Sequence, residues 1–159
     1  MSLEKLKTAS ELAAIREGLG VQGRKLVFTN GVFDLLHVGH VRYLEEARKL
    51  GDALLVAVNG DASVRALKGP TRPINGEQDR AEVLAALECV SYATIFQGMR
   101  VTELIGIVRP QVYVKGGDYT VESLNPEERA ALEAAGSEIR ILTLTPGKST
   151  TAIIEKWKN

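Results

Sequence analysis

KLVFTNGVFDLLHVGH, Lys25 to His40, reads as a strand, a turn and the start of a helix. The run KLVF is short, apolar and followed by turn residues, as a buried strand is. The turn carries both histidines of the chain, His37 and His40, with Gly39 between them, and a helix is expected from about His40 to Leu50. Backbone N–H groups in the first turn of a helix have no intrahelical partner, and the helix dipole favours negative charge. A strand, a glycine turn and a helix N-terminus are therefore a natural place to hold phosphate. Imidazoles at i and i+3 in such a start point the same way, about 5–6 Å apart at Cβ. Either ring can donate an N–H to a phosphate oxygen.

Upstream, Thr8-x-x-Glu11 is a capping-box pattern, and Leu12, Ile15 and Leu19 recur at helical spacing. The spacing predicts a first helix to about Glu17, ended by Gly18 to Gly23. Those glycines match G-x-G-x-x-G by letter. The dinucleotide fingerprint needs a strand before it and a helix after it. Here a helix precedes and a strand follows, so they read as a plain turn. Residues 1–24 are thus an N-terminal helix and turn, and residues 25–159 carry the rest of a single domain.

Downstream, strands and helices alternate. Val41, Leu44, Ala47 and Leu50 are expected to face inward from the helix after the histidines. Ala53 to Asn59 is a continuous apolar run, as a parallel strand covered on both faces reads. A short helix over Ala62 to Leu67, the basic loop Lys68 to Gly76 and a helix over Gln78 to Leu87, with Val83, Leu84 and Leu87 inside, follow. Then come a strand over Tyr92 to Phe96, a helix over Val101 to Val108 and a strand over Val112 to Lys115. A helix over Pro126 to Ala135, a strand over Glu138 to Leu144 and a last helix over Ser149 to Trp157 close the chain. This order predicts an α/β fold: a Rossmann-like parallel sheet of about five strands with helices on both faces. Ligands bind such sheets beyond the carboxyl ends of the strands. The unusual sequences all fall there: the histidine turn, Asn59-Gly60-Asp61, KGGDY from Lys115, and GKSTT from Gly147.

Composition narrows the partners. The chain has 159 residues, 45% of them hydrophobic, which suits one domain with a real core. Twenty basic residues balance twenty acidic ones, so there is no electrostatic footprint for nucleic acid or an anionic membrane. Any anion site must be local. Cys89 is the only cysteine, which excludes an internal disulfide and fits a reducing cytoplasm. No apolar run approaches the ~20 residues of a membrane span.

Several motifs carry chemistry of their own. Gly147-Lys148-Ser149-Thr150 invites a P-loop reading, but that loop needs glycine at position 142, where Leu142 stands. What survives is a helix start at Ser149 and Thr150 that offers hydroxyls and N–H groups to phosphate. Lys68 and Arg72, in a loop with two prolines, are either solvated or a lid that brings cations onto a polyphosphate; Arg80 has the same two readings. Gly116-Gly117 is either a tight turn or a place where a flat base approaches the backbone, with Asp118 and Tyr119 at the rim. A zinc ion on the two histidines needs a third ligand, and only Asp34 is near, so no protein metal ligand is assigned.

These residues also carry a resemblance. GVFDLLHVGH, Gly31 to His40, resembles the HxGH signature of the nucleotidyltransferase superfamily that includes the cytidylyltransferases and pantetheine-phosphate adenylyltransferase. KSTTAII, from Lys148, resembles that group's C-terminal serine–threonine helix start. The closer resemblance is to the D-glycero-β-D-manno-heptose 1-phosphate adenylyltransferase family. TNGVFDLLHVGHVRYLEEARKLGD, VAVNGDASVRALKG, RPIN, VKGGDY and GKSTTAII follow it from about Lys25 to Lys156. A stand-alone form is expected, because no sugar-kinase domain accompanies these motifs.

The resemblance implies transfer of AMP from ATP to the anomeric phosphate of a heptose, with release of pyrophosphate. The product, ADP-heptose, would supply lipopolysaccharide core or other surface glycans. The resemblance also implies a nucleotidyltransferase domain over residues 25–159, Mg2+ carried by the ATP phosphates, and a cytoplasmic homodimer. His37, His40 and Lys68 take the catalytic places. Asn30, Gly31, Val32, Phe33, Arg80, Lys115, Gly116, Asp118, Ser149 and Thr150 take the nucleotide-binding ones. Asp34, Asn59 and Asp61 are candidates for contacts to the acceptor substrate. Two departures count against glycerol phosphate and CTP: Val32 where glycerol-phosphate cytidylyltransferases have threonine, and Leu144-Thr145-Pro146 where they carry an arginine. A cytidylyltransferase acting on a small alcohol phosphate such as glycerol 3-phosphate, and a nucleotide-binding module without turnover, are the competing readings.

Overall fold

β1 (Leu26–Gly31), β2 (Ala53–Asn59), β3 (Tyr92–Phe96), β4 (Val112–Gly116) and β5 (Glu138–Leu142) form one parallel sheet in the order β3-β2-β1-β4-β5. The computed structural model describes every residue except Asp118 and Thr145. Between the strands run α2 (Val38–Arg48), α3 (Asp61–Lys68), α4 (Glu77–Ala85), α5 (Thr102–Val108) and α6 (Pro126–Ala135). α1 (Ala9–Val21) precedes the sheet and α7 (Thr150–Lys158) follows it.

Side chains alternate across each strand, so the sheet has two cores. One holds Leu26, Phe28, Leu55 and Tyr113 under α1, α5 and α6, with Leu12, Ile105 and Leu132 packed on them. The other holds Val27, Leu54, Val56, Val58, Val112 and Val114 under α2 and α4, with Leu44, Ala47, Ala81 and Leu84. All seven residues of β2 are buried, which is why that run shows no alternation. Leu12 and Leu19 put α1 into the first core. Leu6 bridges Ala93 beside β3. The first 24 residues are therefore packed into the same body as the rest.

Some local expectations shift. α1 runs through Gly18 and Gly20 to Val21, so the glycines expected to end it lie largely inside it. α2 begins at Val38, earlier than His40, because His37 is its N-cap. Tyr43 is buried alongside Leu44 and Ala47, whereas Val41 and Leu50 are half-buried. α4 turns Arg80, Ala81, Leu84 and Ala85 inward and leaves Val83 51% exposed, against the expectation for Val83. β5 ends at Leu142, two residues before the expected Leu144.

Candidate active site

β1 pairs with β2 along six residues, from Leu26↔Ala53 to Gly31↔Val58. It pairs with β4 only at Val27↔Val112 and Phe28↔Tyr113. Beyond those pairs the two strands part like a fork, at the point where strand order reverses. Two tyrosine hydroxyls tie the prongs, one from each face. Tyr43 on α2 donates to Val114 O at 3.2 Å and lies 2.7 Å from Thr29 Oγ1. With its one proton on Val114 O, the phenol oxygen accepts from Thr29. Tyr113 donates to Asn30 Oδ1 at 2.8 Å on the opposite face. Burial pushes the Tyr43 phenol up to about 12 and Tyr113 upward as well, so both stay neutral donors.

The fork opens into a cleft of about 320 Å3. Asn30 and Gly31 line it from the end of β1, Val32, Phe33, His37 and His40 from the turn and helix start that follow, and Gly116 with Leu144 from the end of β4 and from just beyond β5. Lys68 and Arg72 contribute to the lining from the end of α3 and the loop after it, and Lys148, Ser149, Thr150 and Thr151 from the start of α7. A Cβ on Gly116 would stand 2.6 Å from Leu144 Cδ2 and 2.9 Å from the Tyr43 ring, so the backbone there must stay bare.

His37 caps α2, and its Nδ1 accepts from Gly39 N–H at 3.1 Å. The proton of a neutral His37 therefore sits on Nε2. His40 stacks on it, ring centroids 3.9 Å apart and 23° between planes. The Phe33 ring meets His40 edge-on at 5.3 Å. A Cβ on Gly39 would come within 2.9 Å of the His37 ring, so glycine is what lets the two rings meet. Burial, and then the charge on His37, push His40 down to about 4. His37 is lowered too, by burial and by the Lys148 ammonium. His40 Nδ1 is buried without a hydrogen-bond partner. At neutral pH the pair consists of uncharged rings, each with one N–H that can donate, and the positive charge in the lining belongs to Lys68, Lys148 and Arg72.

Asp34 is fully buried and ties the basic loop to the histidine turn. Its carboxylate accepts from Ile74 N at 2.9 Å, Asn75 N at 2.9 Å and Arg72 Nε at 2.7 Å, while Asn75 Nδ2 donates to Asp34 O at 3.0 Å. Burial alone would raise its acid form; the Asn75 and Ile74 amides and the Arg72 guanidinium outweigh this and hold the carboxyl below its usual range. Its side-chain oxygens thus accept from the protein itself, while Asp34 lines the cleft. Arg80 departs from expectation. Its side chain is buried and donates to Val32 O, Asn75 O and Asp61 Oδ1 at 2.8–2.9 Å, away from the cleft. Asp61 is held by that pair, and the Asn59 amide donates to Ser63 Oγ at 3.3 Å; neither residue lines the cleft. Lys115 lies 4.0 Å from Glu128 and over the Tyr119 ring, also outside the lining. The expectation for Asp118 falls outside the described residues.

The cleft therefore brings together Asn30, Gly31, Val32, Phe33, Asp34, His37, His40, Lys68, Gly116, Ser149 and Thr150. It adds residues that the sequence reading did not assign: Gly39, Tyr43, Arg72, Leu144, Lys148 and Thr151. Arg72 shares its loop with Lys68, and Lys148 stands inside the GKST motif, so both had a signal. Thr150 Oγ1 donates to Leu35 O at 2.8 Å and Ser149 Oγ accepts from Ala152 N at 3.0 Å, which sets the α7 N-terminus against the histidine turn. Among the described residues no three His, Cys, Asp or Glu side chains converge. Lys68, Arg72, Lys148 and the hydroxyls that line the cleft are a set that suits phosphate oxygens.

Residues 28–156 match the family described as cytidylyltransferase-like. The bifunctional protein HldE of Geotalea uraniireducens is 52% identical over 152 residues, covering 96% of this chain and 31% of that protein. The protein of the same name from Geobacter sulfurreducens is 47% identical, again over 96% of this chain and 31% of that one. The chain thus spans about a third of the length of these curated relatives. A lipopolysaccharide core biosynthesis protein from Thermoplasma volcanium shares 30% identity at a TM-score of 0.63, covering 77% of this chain and 98% of that one. A pantoate-beta-alanine ligase from Francisella tularensis, 13% identical at a TM-score of 0.59 over 92% of this chain and 68% of that one, shares the fold. No helix among the described residues is long and apolar enough to cross a membrane.

Proposed function

This chain belongs to the cytidylyltransferase-like family, and from that premise we propose that it is an adenylyltransferase moving AMP from ATP to D-glycero-β-D-manno-heptose 1-phosphate. One observation carries the chemistry: two stacked, uncharged histidines at a helix N-terminus, in a cleft also lined by Lys68, Arg72 and Lys148. The adenylyl and heptose parts rest on the resemblance of the motifs and on the HldE relatives.

In the proposed reaction an oxygen of the sugar phosphate attacks the α-phosphorus of ATP. The new P–O bond forms as the bond to the bridging oxygen breaks, and pyrophosphate leaves. No protein nucleophile is needed, so catalysis is positioning and charge stabilisation. The Nε2–H of His37 and the His40 ring donate to the α-phosphoryl oxygens and the departing group. Lys68, Arg72 and Lys148 neutralise the triphosphate, while the Ser149 hydroxyl and the backbone N–H groups at Ser149 and Thr150 donate to it. The backbone at Gly31 to Phe33 lies against phosphate, and Gly116 leaves room for the base or ribose. Magnesium enters with ATP as part of the substrate. The same reading carries the cytoplasmic homodimer that the resemblance implies, with light scattering as the check on its mass.

The test is pyrophosphate release with magnesium, for ATP and CTP separately, with and without the heptose phosphate. Release that needs ATP and the heptose phosphate together is expected. Release with CTP, or with a different phosphate acceptor, would overturn the substrate and keep the mechanism. Silence with folded protein under every condition would overturn both.

A further inference from the structure

We propose that Arg80 is a positioning residue: it sets the Val32–Phe33 peptide and, through it, aims the Phe33 N–H and the His40 ring at the nucleotide phosphates. The proposal rests on the nucleotidyl-transfer reading of the cleft. Arg80 lies on α4 with its side chain fully buried, and its guanidinium reaches three segments that are far apart in sequence. Nη1 donates to Val32 O at 2.8 Å, Nε to Asn75 O at 2.9 Å and Nη2 to Asp61 Oδ1 at 2.8 Å. Asp61 is fixed in turn by its own N–H, which donates to Glu77 Oε2 at 2.7 Å. A rigid planar fork can meet three fixed acceptors at once; the single ammonium of lysine cannot copy that geometry.

The Val32 carbonyl is the informative partner. Arg80 lines a second cavity, bounded by Phe33, Asp34, Val83 and Trp157, and does not line the cleft. A trans peptide sends its C=O and the following N–H in opposite directions. With Val32 O turned to Arg80, the Phe33 N–H turns away from it, on the side of the segment that lines the cleft. Among the described residues no protein acceptor takes that N–H. Phe33 stands at φ 49°, in the left-handed region, a conformation that its surroundings must hold in place. Its ring packs down over Gly31, where an added Cβ would come within 2.8 Å of it, and meets His40 edge-on. A tilt of the Val32–Phe33 peptide therefore moves both a donor and the wall against which His40 is stacked. Asn75 O brings the basic loop into the same frame, next to the Asp34 clamp.

Arg80→Lys in the whole chain is the first test, with Asp61→Asn as a milder second variant that decides if the first does not fold. The expected result is a fall in kcat of about a hundredfold, the scale of a 1 Å misplacement at a reacting centre. ATP affinity by calorimetry should change less than about threefold, since the phosphate ligands themselves remain. The His40 imidazole nitrogen signals should shift in the ligand-free variant, and Asp61→Asn should move every readout the same way by less. An unchanged kcat, an unchanged His40 signal, or ATP affinity falling in step with kcat would each overturn the proposal; the last would make Arg80 a phosphate ligand. If the unaltered chain releases no pyrophosphate with any nucleotide, the functional reading fails on its own. The His40 signals and the exchange of the Ile74 and Asn75 amides then decide the positioning role without turnover.

Discussion

The loop of residues 69–76 and the turn that leads into α7 flank the same pair of histidines, yet the protein holds them in opposite ways. The first is locked. Asp34, at 0% side-chain exposure, takes two of its amides and its arginine, and Arg80 takes the Asn75 carbonyl. The second is tethered. Among the described residues its one side-chain hydrogen bond to the rest of the chain runs from Thr150 Oγ1 to Leu35 O, and α7 has no buried residue. The difference separates two uses of positive charge. A cation fixed before the ligand arrives needs no reorganisation when charge develops in the reaction. A cation on a lightly held segment can follow a group as it departs.

The largest effect should come from cutting the lock. Asp34→Ala leaves the Arg72 charge and two amide N–H groups without their partner, a loss of about 3–5 kcal/mol on the scale of broken buried ion pairs. Urea unfolding measures it; a loss below about 1 kcal/mol, the worth of one ordinary hydrogen bond, would erase the contrast between the two segments. His40→Ala should come next, lowering kcat by about a hundredfold or more, with the urea midpoint of unfolding nearly unchanged. A variant that keeps most of its activity would remove the histidines from the mechanism. Lys148→Ala should weaken ATP binding or turnover by about tenfold while stability stays the same, as expected for one charge-assisted contact on an exposed segment. Should the variant match the unaltered chain in both, the α7 turn carries no functional charge. Thr150→Val removes the tether. At about 1 kcal/mol it should raise amide exchange in α7 by about fivefold and leave the 69–76 amides untouched.

The smallest effect is counted in protons. In the free protein His40 is held at about 4 and His37 below its ordinary value, so both rings are neutral at pH 7. A neighbouring polyphosphate favours the charged imidazole and raises it. The bound state then holds more protons than the free one, and ATP affinity should rise as pH falls from about 7 to 6. Calorimetry in buffers of different ionisation heat would show uptake of a fraction of a proton. Equal uptake in His37→Gln would place the proton elsewhere.

The alternation of elements made the fold legible, because each strand is an apolar run and each helix has a stripe of its own. Asn125, Pro126 and Gly136 bracket α6 by cap chemistry alone. The carboxyl edge of the sheet was legible because the histidine turn, Asn59-Gly60-Asp61, Lys115-Gly116-Gly117 and Gly147-Lys148-Ser149-Thr150 all lie at or beyond the ends of strands. What the chain could not disclose is which cation faces which way. Arg72 and Arg80 are both arginines of one basic stretch, and their fates depend on two carboxylates, Asp34 and Asp61, that lie far off in sequence. Arg80 sits at helical spacing with Ala81, Leu84 and Ala85 on an inward face, but arginine gives no apolar signal there. Val83 shows the converse: an apolar side chain in the right helix, on the wrong side of it. Tyr43 escaped because its hydroxyl is needed only where two strands separate, which is a property of the sheet and not of α2.

The fork between β1 and β4 has a consequence for heat. The strands share two registered pairs and then separate, so the halves of the sheet are joined there by little more than two phenols. A nucleotide laid across the prongs is a staple between them. It should raise the melting temperature with the logarithm of its affinity, by an amount equivalent to about 2.7 kcal/mol at a hundredfold excess over Kd. A thermal shift scan of nucleotides is thus a readout of the seam itself.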